Sequence, residues 1–295
     1  MAWTCPICHQ VNDDSSRIHC VCGHDITFDD QKKYSVHIPD DKSKPYPLPA
    51  GLIIKDAFSH SWLYRTEITK AIAFPFLGLI VLSFIYDSYL NNFGFFAKII
   101  YELLHATIFT LLAVTCHRLV LLGRESVPKF GILSLSMREV RFFSWIILGV
   151  ICGYLIMNAT KMVAFLIFKS DNWFFVLQVI FIPLWLYIYS RLSVVLPATA
   201  IDKKADLAWA WNITKTNGVR LMIISAVIML SVLLVSVMAV GTVIYFIFNK
   251  GALFNLSLSF SGYLAVIVDI IALSFAYKYL TRESEHNHLM ERNAE

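Results

Sequence analysis

Four cysteines near the N-terminus have the types and spacing of metal ligands. Cys5 and Cys8 form a Cys-x-x-Cys pair, and Cys20 and Cys22 form a Cys-x-Cys pair. Such a pair places two thiolates on one side of a tight turn, and structural zinc is held by four nitrogen or sulfur ligands in tetrahedral geometry. The spacing therefore predicts that these four thiolates bind one structural zinc ion. We expect no catalysis there, because four thiolates leave zinc no open position for water.

The second cysteine pair leaves two alternatives open. His19 lies three residues before Cys22, and His9 and His24 are next to cysteines, so one histidine replacing one cysteine is the first alternative. The second is a disordered tail with four unliganded cysteines. The motifs W-x-C-P-x-C and C-x-C-G resemble those of the zinc ribbons found at the ends of many bacterial membrane proteins. We assign residues 1–30 to a zinc-ribbon knob, which should be unfolded without its metal because it has almost no apolar core.

The cysteines also indicate a compartment. Thiolate–metal sites persist where disulfides are rare, which favours a reducing compartment. Residues 1–25 contain no apolar stretch typical of a signal peptide. We therefore expect that the N-terminus is not exported and that the first membrane span acts as the insertion signal. Cys116 and Cys152 lie in apolar runs, where we expect small buried hydrophobic side chains.

The rest of the chain has the composition of an all-α polytopic membrane protein. Of its 295 residues, 57% are hydrophobic and 16% are charged, against about 25% charged in soluble domains. A bilayer core needs roughly 20 helical residues, and six apolar segments meet that length. The predicted transmembrane helices lie near residues 71–90, 99–122, 142–166, 173–196, 220–247 and 253–278. The net charge of +4 is too small and too dispersed to favour a nucleic-acid partner.

The predicted domains follow from these composition changes. Residues 31–50 are rich in proline and lysine and form a linker, 51–281 form the six-helix membrane domain, and 282–295 form a disordered tail. Amphipathic links are expected to be interfacial helices. The segment 52–67 places Ile53, Ala57, Phe58 and Leu63 near one face; 203–217 places Leu207, Trp209 and Trp211 toward apolar surroundings; 131–142 is a third candidate.

Lysine and arginine positions predict the orientation. Most of the 25 basic residues lie before the first span, in the links between spans two and three and between spans four and five, or in the tail. The opposite side receives Lys98, Lys161, Lys169 and Lys250. Cytoplasmic loops carry the excess of Lys and Arg, so both termini are predicted to be cytoplasmic. We expect a multi-pass protein of the bacterial inner membrane.

Two charged residues fall within predicted spans, where charge is costly and often functional. Arg191 lies near the cytoplasmic end of span four, and Asp269 lies deeper in span six. At 1.5 Å per residue, the predicted depths of Arg191 and Asp269 in the membrane differ by about 7 Å. A long arginine side chain can span that distance. We predict a buried Arg191–Asp269 pair. It would be a structural clamp or part of a functional polar pathway; the third possibility is that the two residues make no contact.

Two motifs resemble those of a known family. The first runs from Arg191 through Leu-Pro197-Ala198 and Asp202 to Trp211 and Asn217, and the second is Leu-Ser-Met-Arg-Glu-Val-Arg-Phe at 135–142. They resemble bacterial multi-pass inner-membrane proteins that are similar to the membrane domain of some glycerophosphodiester phosphodiesterases. The resemblance implies a helical membrane domain without catalytic machinery.

These observations predict a non-enzymatic membrane protein. No Ser-His-Asp arrangement, phosphate-binding loop or His-Glu-x-x-His motif appears. We expect the zinc ribbon to dock a cytoplasmic protein partner or to serve regulation, and the membrane body to organise lipid or partner proteins. The first alternative is a small transporter or channel that uses Asp269 and Arg191, and the second is a lipid-related membrane enzyme. The sequence does not specify an oligomeric state.

Overall fold

The computed structural model describes residues 3–4, 11–12, 47–88, 94–132, 135–168, 172–236 and 251–292. The chain divides into two compact units, Met1–Pro45 and Tyr46–Glu295. In the first unit, strands β1 (Trp3–Thr4) and β2 (Val11–Asn12) pair antiparallel, with Trp3 opposite Asn12 and Thr4 opposite Val11. Cys5 and Cys8 belong to the connection between these strands. All four predicted zinc ligands lie outside the described residues.

The described part of the second unit is helical. Its helices are α1 (Ala50–Leu63), α2 (Arg65–Ser88), α3 (Phe95–Leu122), α4 (Met137–Val163), α5 (Asn172–Leu192), α6 (Val195–Ala200), α7 (Leu207–Ile213), α8 (Gly218–Ser236) and α9 (Gly251–Arg292). A 3-10 turn at Arg124–Ser126 follows α3, and a π-helical turn at Ala164–Phe168 continues α4.

Within the part of the chain that the structure describes, five helices are long and apolar enough to cross a membrane. They are Arg65–Tyr86, Phe96–Leu122, Met137–Leu166, Val176–Ala200 and Ser259–Thr281. A sixth is counted if Leu207–Ile213 and Gly218–Val232, which meet at a bend of 95°, form one span. The expectation of an all-helical body is confirmed for the described residues, and its apolar helices are compatible with a multi-pass membrane protein. The predicted span 220–247 extends into residues 237–250, which lie outside the described residues.

Helix α9 is the central packing element of this unit. It packs against α1, α2, α3, α6, α7 and α8, whereas α4 contacts α3, α5 and α6. Small residues on α9, including Ala265, Ala272 and Ala276, are buried and allow neighbouring helices to approach closely, as membrane helices require. Large side chains on α4, such as Tyr154 and Leu155, are instead exposed. Outward-facing residues of this kind fit a lipid environment.

The ends of the membrane domain differ from the predicted boundaries. Leu48, assigned to the linker, is fully buried, and its backbone N–H donates to Asn217 Oδ1 at 2.7 Å. The linker therefore ends before Leu48. At the other end α9 continues to Arg292, so the segment 282–292, expected to be disordered, is helical.

The predicted surface segment 52–67 overlaps α1. In α1, Ile53 and Ala57 are buried against the protein, whereas Phe58 and Leu63 are exposed; their place in a membrane interface stays a prediction. The segment 131–142 does not form a separate surface helix. Its second half is the first turn of the long helix α4, because a capping box starts that helix after Ser136.

His60 connects α1 to the central helix. Its ring lies 4.5 Å from the Tyr64 ring and meets the Phe275 ring of α9 edge-on at 5.3 Å. Burial, together with the smaller effect of the positive charge on Lys278, lowers the pKa of His60 from 6.5 to about 4. The neutral imidazole is therefore the form that fits this contact.

Candidate functional site

The link between α3 and α4 is fixed in place by its own hydrogen bonds. Arg124 donates to the carbonyl oxygens of Val127, Pro128 and Lys129 at 2.9, 3.2 and 3.0 Å. Gly131 has φ +91°, and a Cβ there would lie 2.3 Å from the carbonyl oxygen of Ala71 in α2. Only glycine allows this close approach. The link therefore sets where α4 begins.

The start of α4 carries a capping box. The Glu139 carboxylate accepts from the Ser136 backbone N–H at 2.9 Å and from the Ser136 hydroxyl. Its other oxygen accepts from Arg138 Nε at 2.8 Å and lies 2.7 Å from Arg138 Nη2. Glu139 is fully buried. The cap therefore also holds the Arg138 guanidinium in position.

Three arginines converge on one carboxylate at this end of the bundle. Asp202, in the link after α6, lies 3.4 Å from Arg118 Nη1, 3.1 Å from Arg138 Nη1 and 4.0 Å from Arg141 Nη2. Asp202 has φ +61°, a left-handed conformation that aspartate tolerates better than most residues. We call Arg118, Arg138, Arg141 and Asp202 the arginine cluster.

Arg118 joins the arginine cluster to two further segments. Its Nη1 also donates to the carbonyl oxygen of Ala200 in α6 at 3.2 Å, and its Nε donates to that of Ser126 at 3.3 Å. The cluster therefore links α3, α4 and the end of α6.

The arginine cluster has excess positive charge and is accessible. With Glu139 included, three guanidinium groups face two carboxylates among the described residues, which leaves one positive charge in excess there. Arg118 and Arg138 are 15% and 18% exposed, whereas Arg141 and Asp202 are 54% and 52% exposed. Guanidinium groups donate two parallel hydrogen bonds to phosphate or carboxylate oxygens. The arrangement can bind a small anion at the end of the membrane helices.

Arg191 occupies a separate buried site. It is 4% exposed, and its guanidinium carbon lies 3.5 Å from the centre of the Trp211 ring. It donates to Thr214 Oγ1 at 3.2 Å, to the Trp211 carbonyl oxygen at 2.5 Å and to Tyr187 Oη at 3.3 Å. The residue thus fastens α5 to α7 and to the turn after it through neutral acceptors and an aromatic ring.

Asp269 has different neighbours. It lies near the Ser225 side chain of α8. Its Oδ1 atom is buried without a hydrogen-bond partner among the described residues. The salt bridges of the described residues do not include an Arg191–Asp269 pair. The structure therefore does not bring the two together; Arg191 has its own partners at the end of α5, and depth alone did not determine which helix faces Asp269.

The arginine cluster joins the two sequence motifs. Arg138, Glu139 and Arg141 come from the segment 135–142, and Asp202 comes from the motif that begins at Arg191. These residues carry the family resemblance in the sequence, but their spacing along the chain does not indicate that they meet. For Arg118, the sequence showed only a basic residue near the end of an apolar segment, which does not by itself indicate a binding site.

Among the described residues, no group of three or more His, Cys, Asp or Glu side chains is arranged to hold a metal ion. The zinc prediction falls on Cys5, Cys8, Cys20 and Cys22, outside those residues, and stays a prediction. No family model, curated protein or solved structure matches this chain.

Proposed function

We propose that this chain is a non-enzymatic, multi-pass protein of a bacterial inner membrane, whose helical body binds anionic lipid headgroups. The arginine cluster is the observation that carries the proposal. Arg138 is in the first turn of an apolar helix that begins at Met137, and Arg118 lies one turn before Leu122, where another ends. Such positions correspond to the depth at which lipid phosphates lie.

Charge and geometry support a phosphate as the ligand. The cluster has one positive charge in excess, and Arg141 is exposed enough to contact a headgroup. Asp202 holds the three guanidinium groups close together and lowers their mutual repulsion. A phosphodiester approaching from the membrane surface would meet preoriented donors. The basic links point to the cytoplasmic leaflet as the side on which this occurs.

The zinc ribbon is proposed as a structural module that docks a cytoplasmic protein partner. The paired strands β1 and β2 flank the first cysteine pair in the sequence. We expect a two-cysteine turn at Cys5 and Cys8 between them. Zinc bound there would fold the knob by joining this turn to the second cysteine pair.

Lipid binding is tested with the purified full chain by native mass spectrometry. Phosphatidylglycerol should bind more tightly than phosphatidylcholine, and Arg141→Gln should weaken phosphatidylglycerol binding about fivefold, from roughly 1 kcal/mol per arginine near a charged surface. Asp202→Asn should strengthen phosphatidylglycerol binding. Asparagine tolerates the left-handed backbone at this position, and the loss of the carboxylate raises the excess positive charge of the arginine cluster by one. The matched control is Lys98→Gln, which removes one charge from an exposed site near the start of α3.

The outcome that contradicts this proposal is specific. If phosphatidylglycerol and phosphatidylcholine bind equally, or if Arg141→Gln and Lys98→Gln have the same effect, the arginine cluster does not select anionic lipid.

The zinc ribbon requires a separate test. Elemental analysis should find one zinc per chain, and replacing Cys5 and Cys8 by serine should remove it while the helical body stays folded. Crosslinking in native membranes, with and without residues 1–30, should then show a protein partner that depends on the ribbon. Zinc that persists in the double serine variant would refute the ligand assignment.

A small transporter is the second candidate function. The observation in its favour is Asp269, whose Oδ1 atom is buried in an apolar helix without a hydrogen-bond partner among the described residues. Buried carboxylates within membranes often belong to ion or proton pathways. A cation flux into proteoliposomes that Asp269→Asn abolishes would support transport; no flux in wild type would exclude it for the ions tested.

A further inference from the structure

A second polar site lies in a groove far from the arginine cluster. The groove has a volume of about 530 Å³ and is lined by residues of α3, α8 and α9, with Ser83 of α2 at its edge. His105 lies about 25 Å along α3 from its Leu122 end, at 1.5 Å per residue. The groove therefore lies within the apolar zone of the bundle, on the half opposite the arginine cluster.

Three polar side chains form a hydrogen-bonded group in this groove. Tyr263 Oη lies 2.8 Å from Ser83 Oγ and 2.9 Å from His105 Nε2. No hydrogen bond to the Nδ1 atom of His105 forms among the described residues. A neutral imidazole has one N–H and one acceptor nitrogen, so the two tautomers let His105 offer a ligand either a donor or an acceptor.

The wall beside this group is aromatic. Tyr101, His105 and Phe109 follow one another at four-residue spacing, which places them on one face of α3. The His105 ring centre lies 5.7 Å from that of Tyr101 and 6.5 Å from that of Phe109. A Cβ added to Gly262 on α9 would meet nothing within 4 Å. Gly262 therefore leaves open space in the lining of the groove.

We propose that this groove binds a lipophilic quinone, a planar conjugated ring with carbonyl oxygens on an apolar tail. The ring would lie against the aromatic face, and a ring oxygen would hydrogen-bond to His105. A carbonyl needs a donor and the hydroxyl of the corresponding quinol needs an acceptor, and the imidazole can supply both. A lipid acyl chain would use neither the imidazole nor the flat wall. This inference is independent of the proposed lipid-headgroup function.

Binding is measured with the full chain in detergent by saturation with radiolabelled decylubiquinone. His105→Phe keeps an aromatic ring but removes the hydrogen bond, and should weaken binding about tenfold, since ligand hydrogen bonds in apolar sites contribute on the order of 1.5 kcal/mol. Gly262→Leu fills the groove and should abolish saturable binding. The matched control is Gly51→Leu in α1, where a Cβ also meets nothing within 4 Å; it should bind as wild type does.

Two outcomes overturn the proposal. The first is equal decylubiquinone binding by wild type, His105→Phe and Gly262→Leu. The second is full competition by decanol at the same concentration, which would mean that the groove accepts any hydrocarbon chain. Thermal unfolding of each variant shows whether it is folded, and if Gly262→Leu does not fold, the comparison of His105→Phe with wild type decides.

Discussion

Glu139 offers the sharpest test of how the arginine cluster is built. Its carboxylate is fully buried, caps α4 at Ser136 and contacts the Arg138 guanidinium at 2.8 and 2.7 Å. Glu139→Gln preserves the side-chain volume and can still form a capping box, so it removes mainly the charge. The change leaves Arg138 with Asp202 as its remaining carboxylate partner.

The size of the effect follows from burial. Removing one partner of a fully buried ion pair costs about 3–5 kcal/mol. Arg138 is 18% exposed and keeps Asp202 at 3.1 Å, so we expect a smaller loss, about 2–3 kcal/mol in the free energy of unfolding. For a domain of this size, 1 kcal/mol corresponds to about 2–4 °C. The expected fall in melting temperature is therefore about 4–12 °C.

The assay is thermal unfolding in detergent, followed by circular dichroism. Glu125→Gln is the matched control, because Glu125 is an exposed carboxylate in the 3-10 turn that follows α3, and it should melt within about 1 °C of wild type. A Glu139→Gln protein that melts with the control, or above wild type, would refute the inference that this buried charge organises the cluster.

Further predictions concern backbone, protonation and the intramembrane charges. Gly131→Ala and Gly123→Ala both place alanine at positive φ, which costs about 1–3 kcal/mol, but of the two positions only Gly131 approaches a backbone carbonyl. The Gly131→Ala protein should therefore melt several degrees below the Gly123→Ala protein. Equal melting temperatures would contradict the close contact at Gly131. Between pH 7 and pH 5 the chain should lose about 2 kcal/mol of stability, because His60 has a pKa of 6.5 when unfolded and about 4 when folded, so its contribution is complete above pH 6.5 and falls as pH drops toward 4. His60→Phe should remove this loss in urea titrations, and an unchanged pH dependence would exclude His60 as its source. Arg191→Lys should destabilise the bundle, and Asp269→Asn should change its stability little. In a double-mutant cycle the two changes in the free energy of unfolding should add within about 0.5 kcal/mol. A larger coupling energy would mean that Arg191 and Asp269 do interact, as the sequence predicted.

Several parts of the fold were predictable because they depend on local sequence. Apolar runs of the length that a bilayer requires gave the positions of α2, α3, α4, α5 and α9, since the backbone in lipid must satisfy its own hydrogen bonds. The start of α4 was misassigned although its capping box is visible in the sequence. Met137 begins one continuous helix, whereas amphipathic spacing alone favoured a separate surface helix.

The contacts between helices were not predictable in the same way. Arg191 and Asp269 were paired on depth, but rotation of each helix about its axis decides which side chains face each other. In the structure Arg191 turns toward Trp211 and Thr214, and Asp269 toward Ser225. When a helix is apolar on all sides, its sequence does not show which face packs against a neighbouring helix. The rotation of each helix therefore could not be predicted.

Length, hydropathy and charge act locally, so the long apolar helices and the concentration of basic residues in a few links could be read from the residues alone. The zinc prediction depends on cysteine spacing and falls outside the described residues. The meeting of Arg118, Arg138 and Arg141 at Asp202, and of His105 with Tyr263, is visible only in the folded chain. Those contacts join segments distant in sequence, and they exist because close packing of the helices fixes which faces touch.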